Sequence, residues 1–233
     1  MIRGLFITGT DTGVGKTVVT AALMHRYRKE LPLRYWKPIQ TGVQQDDDTA
    51  TVRVLGACAE NEILDEGVRL KQPVSPHLAA KLSGEQIEIE SLFKILAAKT
   101  SPKVSWIIEG AGGVLVPINK SAKMIDLMRA LSLPVLVVAS ARLGTINHTL
   151  LTLEALRRRA LVVAGVVMVG EQQADNSNAI ESYGAISVLA EMPWFPQLSS
   201  SIIRNWAPGR LDPANLLLDH LKCSHSPLQY FKP

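Results

Sequence analysis

Residues 134–140 read PVLVVAS, and nothing polar interrupts Val135-Leu136-Val137-Val138. A strand with one wet face alternates apolar and polar positions. One that is apolar at every position needs cover on both faces, which a parallel sheet flanked by helices supplies. Further β-rich runs lie at 5–8, 34–39, 104–109, 162–169 and 187–191. Segments of helical period separate them, at 15–29, 47–55, 85–98, 124–131, 145–159 and 178–183. The alternation predicts an α/β fold, a doubly wound, mostly parallel sheet with helices on both faces.

A chain of 233 residues, 47% apolar and 20% charged, can bury one large core. No linker, repeat or low-complexity stretch divides it, so a single domain over 1–233 is expected, with CSHSPLQYFKP at 223–233 an irregular tail or an extra terminal strand. The formal charge of +4 is mild, and Arg157-Arg158-Arg159 falls on a helical segment without interleaved aromatics. A solvated helix face explains that run better than a nucleic-acid surface. Cys58 and Cys223 stand far apart and suggest neither a disulfide framework nor a zinc cluster, in keeping with a reducing compartment. The chain opens directly on a strand, and no apolar run reaches membrane-spanning length. A soluble cytoplasmic protein that engages neither nucleic acid nor membrane is expected.

The stretch ITGTDTGVGKT, residues 7–17, occupies the first strand-to-helix turn. It ends as a phosphate-binding loop does, but the usual G-x-x-x-x-G-K-[ST] spacing needs glycine at position 10, where Thr10 stands, and the glycine is Gly9. The location suits an anion, because backbone N–H groups and the positive end of a helix dipole converge there. Gly13 and Gly15, with Val14 between them, permit close backbone approach; Lys16 offers a point charge to the β- and γ-phosphates; the Thr17 hydroxyl can coordinate magnesium. A plain turn with incidental glycines is the bland alternative, disfavoured because strand, glycine pair, Lys-Thr and helix all agree.

One hydroxyl is a weak magnesium site, so carboxylates are expected at other strand ends. In WIIEGAGG an apolar strand delivers Glu109 at its carboxyl end into the glycine-rich turn Gly110-Ala111-Gly112, at the sheet edge where open α/β folds bind ligands. The second candidate is the acidic run Asp46-Asp47-Asp48, which opens a helix. Aspartates are ordinary helix caps, and spacing alone does not choose among the three.

The motifs GTDTGVGKT, YWKPIQTG, DDDTA, SPH, EGAGG, LGTINHT and EMPWF, in this order and spacing along nearly the whole chain, resemble dethiobiotin synthetase. The resemblance makes the displaced glycine a family trait and implies a P-loop NTPase fold. It implies a reaction in which ATP, CO2 and 7,8-diaminopelargonic acid give dethiobiotin, ADP and phosphate, through a carbamate and a carbamic-phosphoric anhydride, with Mg2+ as cofactor. By the same resemblance Thr17, Asp48 and Glu109 hold magnesium, Lys16 stabilises the γ-phosphoryl group, and Lys37 steadies the carbamate and anhydride as a catalytic residue. Thr12 and Thr41 offer hydroxyls to the substrate. The substrate carboxylate would meet the helix start Gly144-Thr145-Ile146-Asn147 of a second subunit, capped by Tyr183, which makes the active site span a homodimer interface. Val169 and Gly170, with Pro193-Trp194-Phe195, would lie at the nucleotide base; at Val169 many members carry an asparagine that reads the purine edge. His77 and His148 suit capping or packing better than catalysis. A partitioning-type ATPase of the same fold would carry a lysine early in the loop, where Gly9, Thr10 and Asp11 stand, and a cobyrinate-type synthetase would need a glutaminase domain as well. A non-catalytic nucleotide-binding module is weakened by the lysine and carboxylate set.

Overall fold

The computed structural model describes residues 1–225; the last eight positions, 226–233, lie outside the described residues. The chain runs β1 (Ile2–Gly9), α1 (Lys16–Tyr27), β2 (Leu33–Trp36), β3 (Ile39–Thr41), α2 (Asp48–Leu55), β4 (Ile63–Leu64), β5 (Val68–Leu70), α3 (Pro76–Ser83), α4 (Ile89–Lys99) and β6 (Ser105–Gly113). It continues α5 (Met124–Leu131), β7 (Val135–Ser140), α6 (Thr145–Arg158), β8 (Val163–Val169), α7 (Ala174–Gly184), β9 (Val188–Met192), α8 (Ser200–Arg210), α9 (Leu216–Lys222) and β10 (Ser224–His225). The main sheet has the order β4-β2-β6-β1-β7-β8-β9, with every neighbouring pair parallel. From β1 the chain first moves towards β2 on one side, and later passes from β6 over to β7 on the other. That reversal at β1 is the switch point at which such sheets bind ligands.

Both faces of the sheet are covered, as the apolar run at 135–138 requires. Phe6, Val135, Val137 and Ile108 face a core built with α4, α5 and α6. Leu5, Ile7, Leu136 and Val138 face the opposite core, built with α1, α8 and α9. Adjacent strand residues thus feed opposite cores, the period of two expected of extended chain.

Several boundaries differ from the sequence expectations. The run at 34–39 is two strands, β2 and β3, broken at Lys37-Pro38. Pro38 has no N–H to give to the ladder, and the chain leaves the main sheet there to pair β3 with β5 as a separate two-stranded sheet. The helix expected from 85 starts at Ile89, after Ile87 has inserted fully into the core. The helix expected at 178–183 extends over Ala174–Gly184. α8 and α9 have no counterpart in the sequence reading; α8 contains Pro208 and α9 is only seven residues long, so neither shows a clean helical period. They are held to α1 by Asp212, which is fully buried, receives the Tyr27 hydroxyl and accepts from the backbone N–H groups of Leu216 and Leu217 at 2.9 and 2.7 Å. At the start of the expected tail, Ser224–His225 form the extra terminal strand and pair antiparallel with Ile2 and Arg3. No helix among the described residues is long and apolar enough to cross a membrane.

Candidate active site

A cleft of about 590 Å³ opens at the carboxyl ends of β1, β2 and β6. Its floor is the turn between β1 and α1. Gly13 and Gly15 have φ of 71° and 98°, left-handed values that favour glycine. Gly15 precedes the first residue of α1, so the helix's unbonded N–H groups point into the turn. Val14 is buried beneath it. Lys16, the first residue of α1, is almost buried, and its ammonium donates to the Asp11 carbonyl at 3.1 Å.

Next to the turn, two carboxylates meet the Thr17 hydroxyl, and a lysine bridges them. Thr17 Oγ1 lies 2.6 Å from Asp48 Oδ1, at the start of α2, and 3.1 Å from Glu109 Oε1, on β6. Lys37, just past the end of β2, places Nζ 2.9 Å from Glu109 Oε1, 3.3 Å from the Gly110 carbonyl, and in an ion pair with Asp48 Oδ2. Lys37 is 3% exposed and Glu109 0%. Glu109 is not the last residue of its strand, since β6 continues through Gly110 and Ala111 to Gly113. Within the acidic run the structure separates the three aspartates. Asp47 caps α2 by accepting from Ala50 N at 3.1 Å, Asp46 is exposed, and Asp48 alone joins the cluster.

The charges adjust accordingly. Burial pulls the Lys16 pKa down to about 8, helped by the nearby Lys37 ammonium and opposed by Glu109 and Asp48. Burial also pulls on Lys37, but Glu109 and Asp48 outweigh it and hold that amine above its ordinary value. For Asp48 the burial penalty is overcome by Lys37 and the Thr17 hydrogen bond, which keep the carboxyl below its usual range. Sequence reasoning missed Tyr35. Its hydroxyl donates to Glu109 Oε2 at 3.3 Å, and burial, followed by the charge of Glu109, pushes its pKa well up. The signal was available, because Tyr35 stands two residues before Lys37 and extended chain returns to the same side at that spacing. Thr17, Asp48 and Glu109 present hard oxygen donors, the set preferred by small divalent cations that complete their shell with phosphate and water. Among the described residues no cluster of three or more His, Cys, Asp or Glu forms a self-sufficient metal cage.

Residues 3–201 match the family model described as AAA domain. The ATP-dependent dethiobiotin synthetase of Paramagnetospirillum magneticum is 45% identical over 207 residues, which cover 89% of this chain and 96% of that protein. The chain belongs to the dethiobiotin synthetase family. The family member from Agrobacterium fabrum is 42% identical, covering 83% of this chain and 87% of its own. The fold extends beyond the dethiobiotin synthetases. A MinC:MinD cell division protein complex of Aquifex aeolicus aligns with a TM-score of 0.58 at 15% identity, over 99% of this chain and 100% of that chain. A ParA family ATPase from Chlorobium tepidum aligns with a TM-score of 0.54 at 12% identity, over 88% and 98%.

The remaining positions singled out by the synthetase resemblance divide into two groups. Thr12, Thr41, Ala111, Gly112 and Trp194 line the cleft. Val169 is buried, packs its methyls on the loop at Gly15, and donates no polar atom. Gly170 lies beside it, where an added Cβ would be 3.3 Å from Trp194 Nε1. Of Pro193-Trp194-Phe195 only the tryptophan reaches the cleft; the Phe195 ring packs edge-on against Trp206 at 6.1 Å, and Pro193 lines a separate hollow beside α7. Gly144, Thr145, Ile146 and Asn147 form the amino terminus of α6, with Gly144 at φ 94°, and do not line the cleft of their own chain. Tyr183, on α7, is 79% exposed. His77 bonds through Nδ1 to Ser75 Oγ at 3.0 Å, and His148 lines a hollow with Asp11 and Leu151, so neither enters the lysine–carboxylate cluster.

Proposed function

We infer that this chain is an ATP-dependent dethiobiotin synthetase, converting 7,8-diaminopelargonic acid, CO2 and ATP to dethiobiotin, ADP and phosphate. The observation that carries the reading is the meeting of two lysines and two carboxylates around Thr17 at the phosphate turn, in a chain 45% identical to a synthetase over most of its length.

The chemistry demands placement and neutralisation of negative charge more than covalent help from the protein. One amine of the substrate attacks CO2 and loses a proton, giving a carbamate. A carbamate oxygen attacks the γ-phosphorus, and the bond to the ADP oxygen breaks. The second amine then attacks the carbamoyl carbon and gives up a proton, and phosphate departs with the C–O bonding pair as the cyclic urea closes. In this reading the backbone N–H groups at Gly13, Val14 and Gly15 cradle the phosphates, and Lys16 meets the charge on the transferring group. Lys37 holds the carbamate and the anhydride, and Thr12 and Thr41 orient the reacting amines. Thr17, Asp48 and Glu109 would hold Mg2+, which would supply Lewis-acid charge to the phosphates. The base rests near Gly170 and Trp194.

The substrate carboxylate is assigned to residues 144–147 at the start of α6 in a second subunit, with Tyr183 of the partner subunit closing that end. Support comes from the exposed apolar surface there: Leu143 is fully exposed, and Leu115 and Leu151 flank the neighbouring hollow. An exposed apolar patch of that kind favours burial against another chain. A homodimer in the cytoplasm, with small molecules as its substrates and neither nucleic acid nor membrane as a partner, completes the reading. Incubation with ATP, Mg2+, bicarbonate and 7,8-diaminopelargonic acid should yield dethiobiotin by mass; nucleotide turnover without that product would refute it.

A further inference from the structure

The carboxylates that would receive the metal already hold a cation. Asp48 Oδ1 accepts the Thr17 hydroxyl proton and Oδ2 pairs with Lys37; Glu109 Oε1 accepts from Lys37, with Thr17 Oγ1 3.1 Å away, and Oε2 accepts from Tyr35. All four carboxylate oxygens are therefore satisfied by the protein itself. The Lys37 ammonium bridges both carboxylates and is 3% exposed, unlike a surface lysine free to swing into water. A divalent ion bonded to Thr17 Oγ1, Asp48 and Glu109 needs the same oxygens, and the pair of negative charges cannot satisfy both cations fully. Two carboxylates and one ammonium leave one negative charge, whereas two carboxylates and a divalent ion leave none. Once the metal is in, Lys37 has lost its attraction to the pair and faces the like charge of Lys16. Its four-carbon stem lets the ammonium relocate within the cleft without backbone movement.

We propose that Lys37 is the resident counter-ion of the Asp48–Glu109 pair and sets the metal affinity of the site, so that a divalent cation binds by displacing it. Metal binding is then weak until nucleotide phosphates add negative charge, and the displaced ammonium is delivered to the carbamate end of the substrate in the same event. This rests on the synthetase reading for the identity of the metal ligands.

The test measures metal binding to nucleotide-free protein, following free Mn2+ by electron paramagnetic resonance, for wild type and Lys37→Met. The variant should bind Mn2+ at least tenfold more tightly than wild type. Equal, weaker or undetectable binding by the variant would overturn the proposal. Because Lys37→Met leaves the buried Glu109 and the half-buried Asp48 carboxylates without their ammonium, its thermal unfolding is followed with and without Mn2+. Mn2+ should raise its midpoint more than that of wild type, or restore folding if the metal-free variant fails to fold; absence of either recovery counts against the proposal. Dethiobiotin formation by wild type is scored separately, so failure of the synthetase reading is told apart from failure of the counter-ion role.

Discussion

The side chain of Val169 closes over the phosphate turn at Gly15, where an added Cβ would sit 3.0 Å from Val169 Cγ1. The contact is apolar on both sides, so Val169 packs against the turn and offers no hydrogen bond to a nucleotide base. Phosphates are common to every nucleoside triphosphate, and the exposed indole of Trp194 offers a face that accepts any base. Losing a polar base contact flattens discrimination by about 1–3 kcal/mol. We expect CTP, GTP and UTP to support synthesis with kcat/KM within roughly tenfold of ATP. A preference for ATP of several hundredfold would show that backbone groups read adenine.

Glu109 is buried between Thr17, Tyr35 and Lys37, and its carboxylate is assigned to the metal rather than to the nucleotide. Glu109→Gln should lower Mg2+-dependent turnover by more than roughly tenfold, the scale on which even outer-sphere partners of a metal act. ADP affinity in the presence of a chelator should fall less than this turnover does, because the carboxylate itself makes no contact with the phosphate cradle. Equal losses in the two titrations would make Glu109 a structural residue.

Lys16, with its pKa lowered to about 8, carries its full charge only below that pH. Metal-free ADP affinity should be flat from pH 7 to about 8, then fall as the unliganded amine loses its proton, and Lys16→Met should remove the slope. Stability moves the other way. Between about 8 and the ordinary 10.5 the unfolded chain binds more protons than the folded one, so the cost of burying this ammonium, present in full below pH 8, is relieved as pH rises. A slope in ADP affinity that survives Lys16→Met would assign it to another group.

Much of this site was legible from local pattern. The apolar run at 135–138 needs two covered faces, and it has them. Lys16 and Thr17 sit at the strand-to-helix turn that their sequence announces, Glu109 lies inside β6 ahead of its glycine-rich end, and Asp48 was separated from its acidic neighbours only by the family resemblance; they meet in space because a parallel sheet gathers its carboxyl ends. What local pattern does not carry is pairing across the sheet. The bond from Tyr35 to Glu109 spans 74 positions and depends on β2 lying beside β6, and the attachment of α8 and α9 depends on one buried aspartate meeting Tyr27 across 185. The break at Lys37-Pro38 was readable from the proline, and it places the ammonium at the end of β2 rather than within a longer strand.

Leu143 is fully exposed just before the start of α6, and exposed Leu151 and Leu115 line one hollow together. If this surface joins two subunits, Leu143→Glu buries a charge at the interface and should yield monomers by sedimentation. The monomer should keep ADP affinity within about twofold, as for a surface change remote from that site, while KM for 7,8-diaminopelargonic acid rises more than roughly tenfold through loss of the partner's helix amino terminus. A fully active monomer would place the whole substrate site in one chain.

The most direct measurement supplies 13C-bicarbonate, ATP, Mg2+ and 7,8-diaminopelargonic acid and follows product by mass and ADP by chromatography. We expect dethiobiotin carrying one 13C in its ureido carbonyl, with ADP and dethiobiotin formed in equal amounts. ADP released without labelled dethiobiotin, or at the same rate when the diamine is omitted, would contradict the assignment.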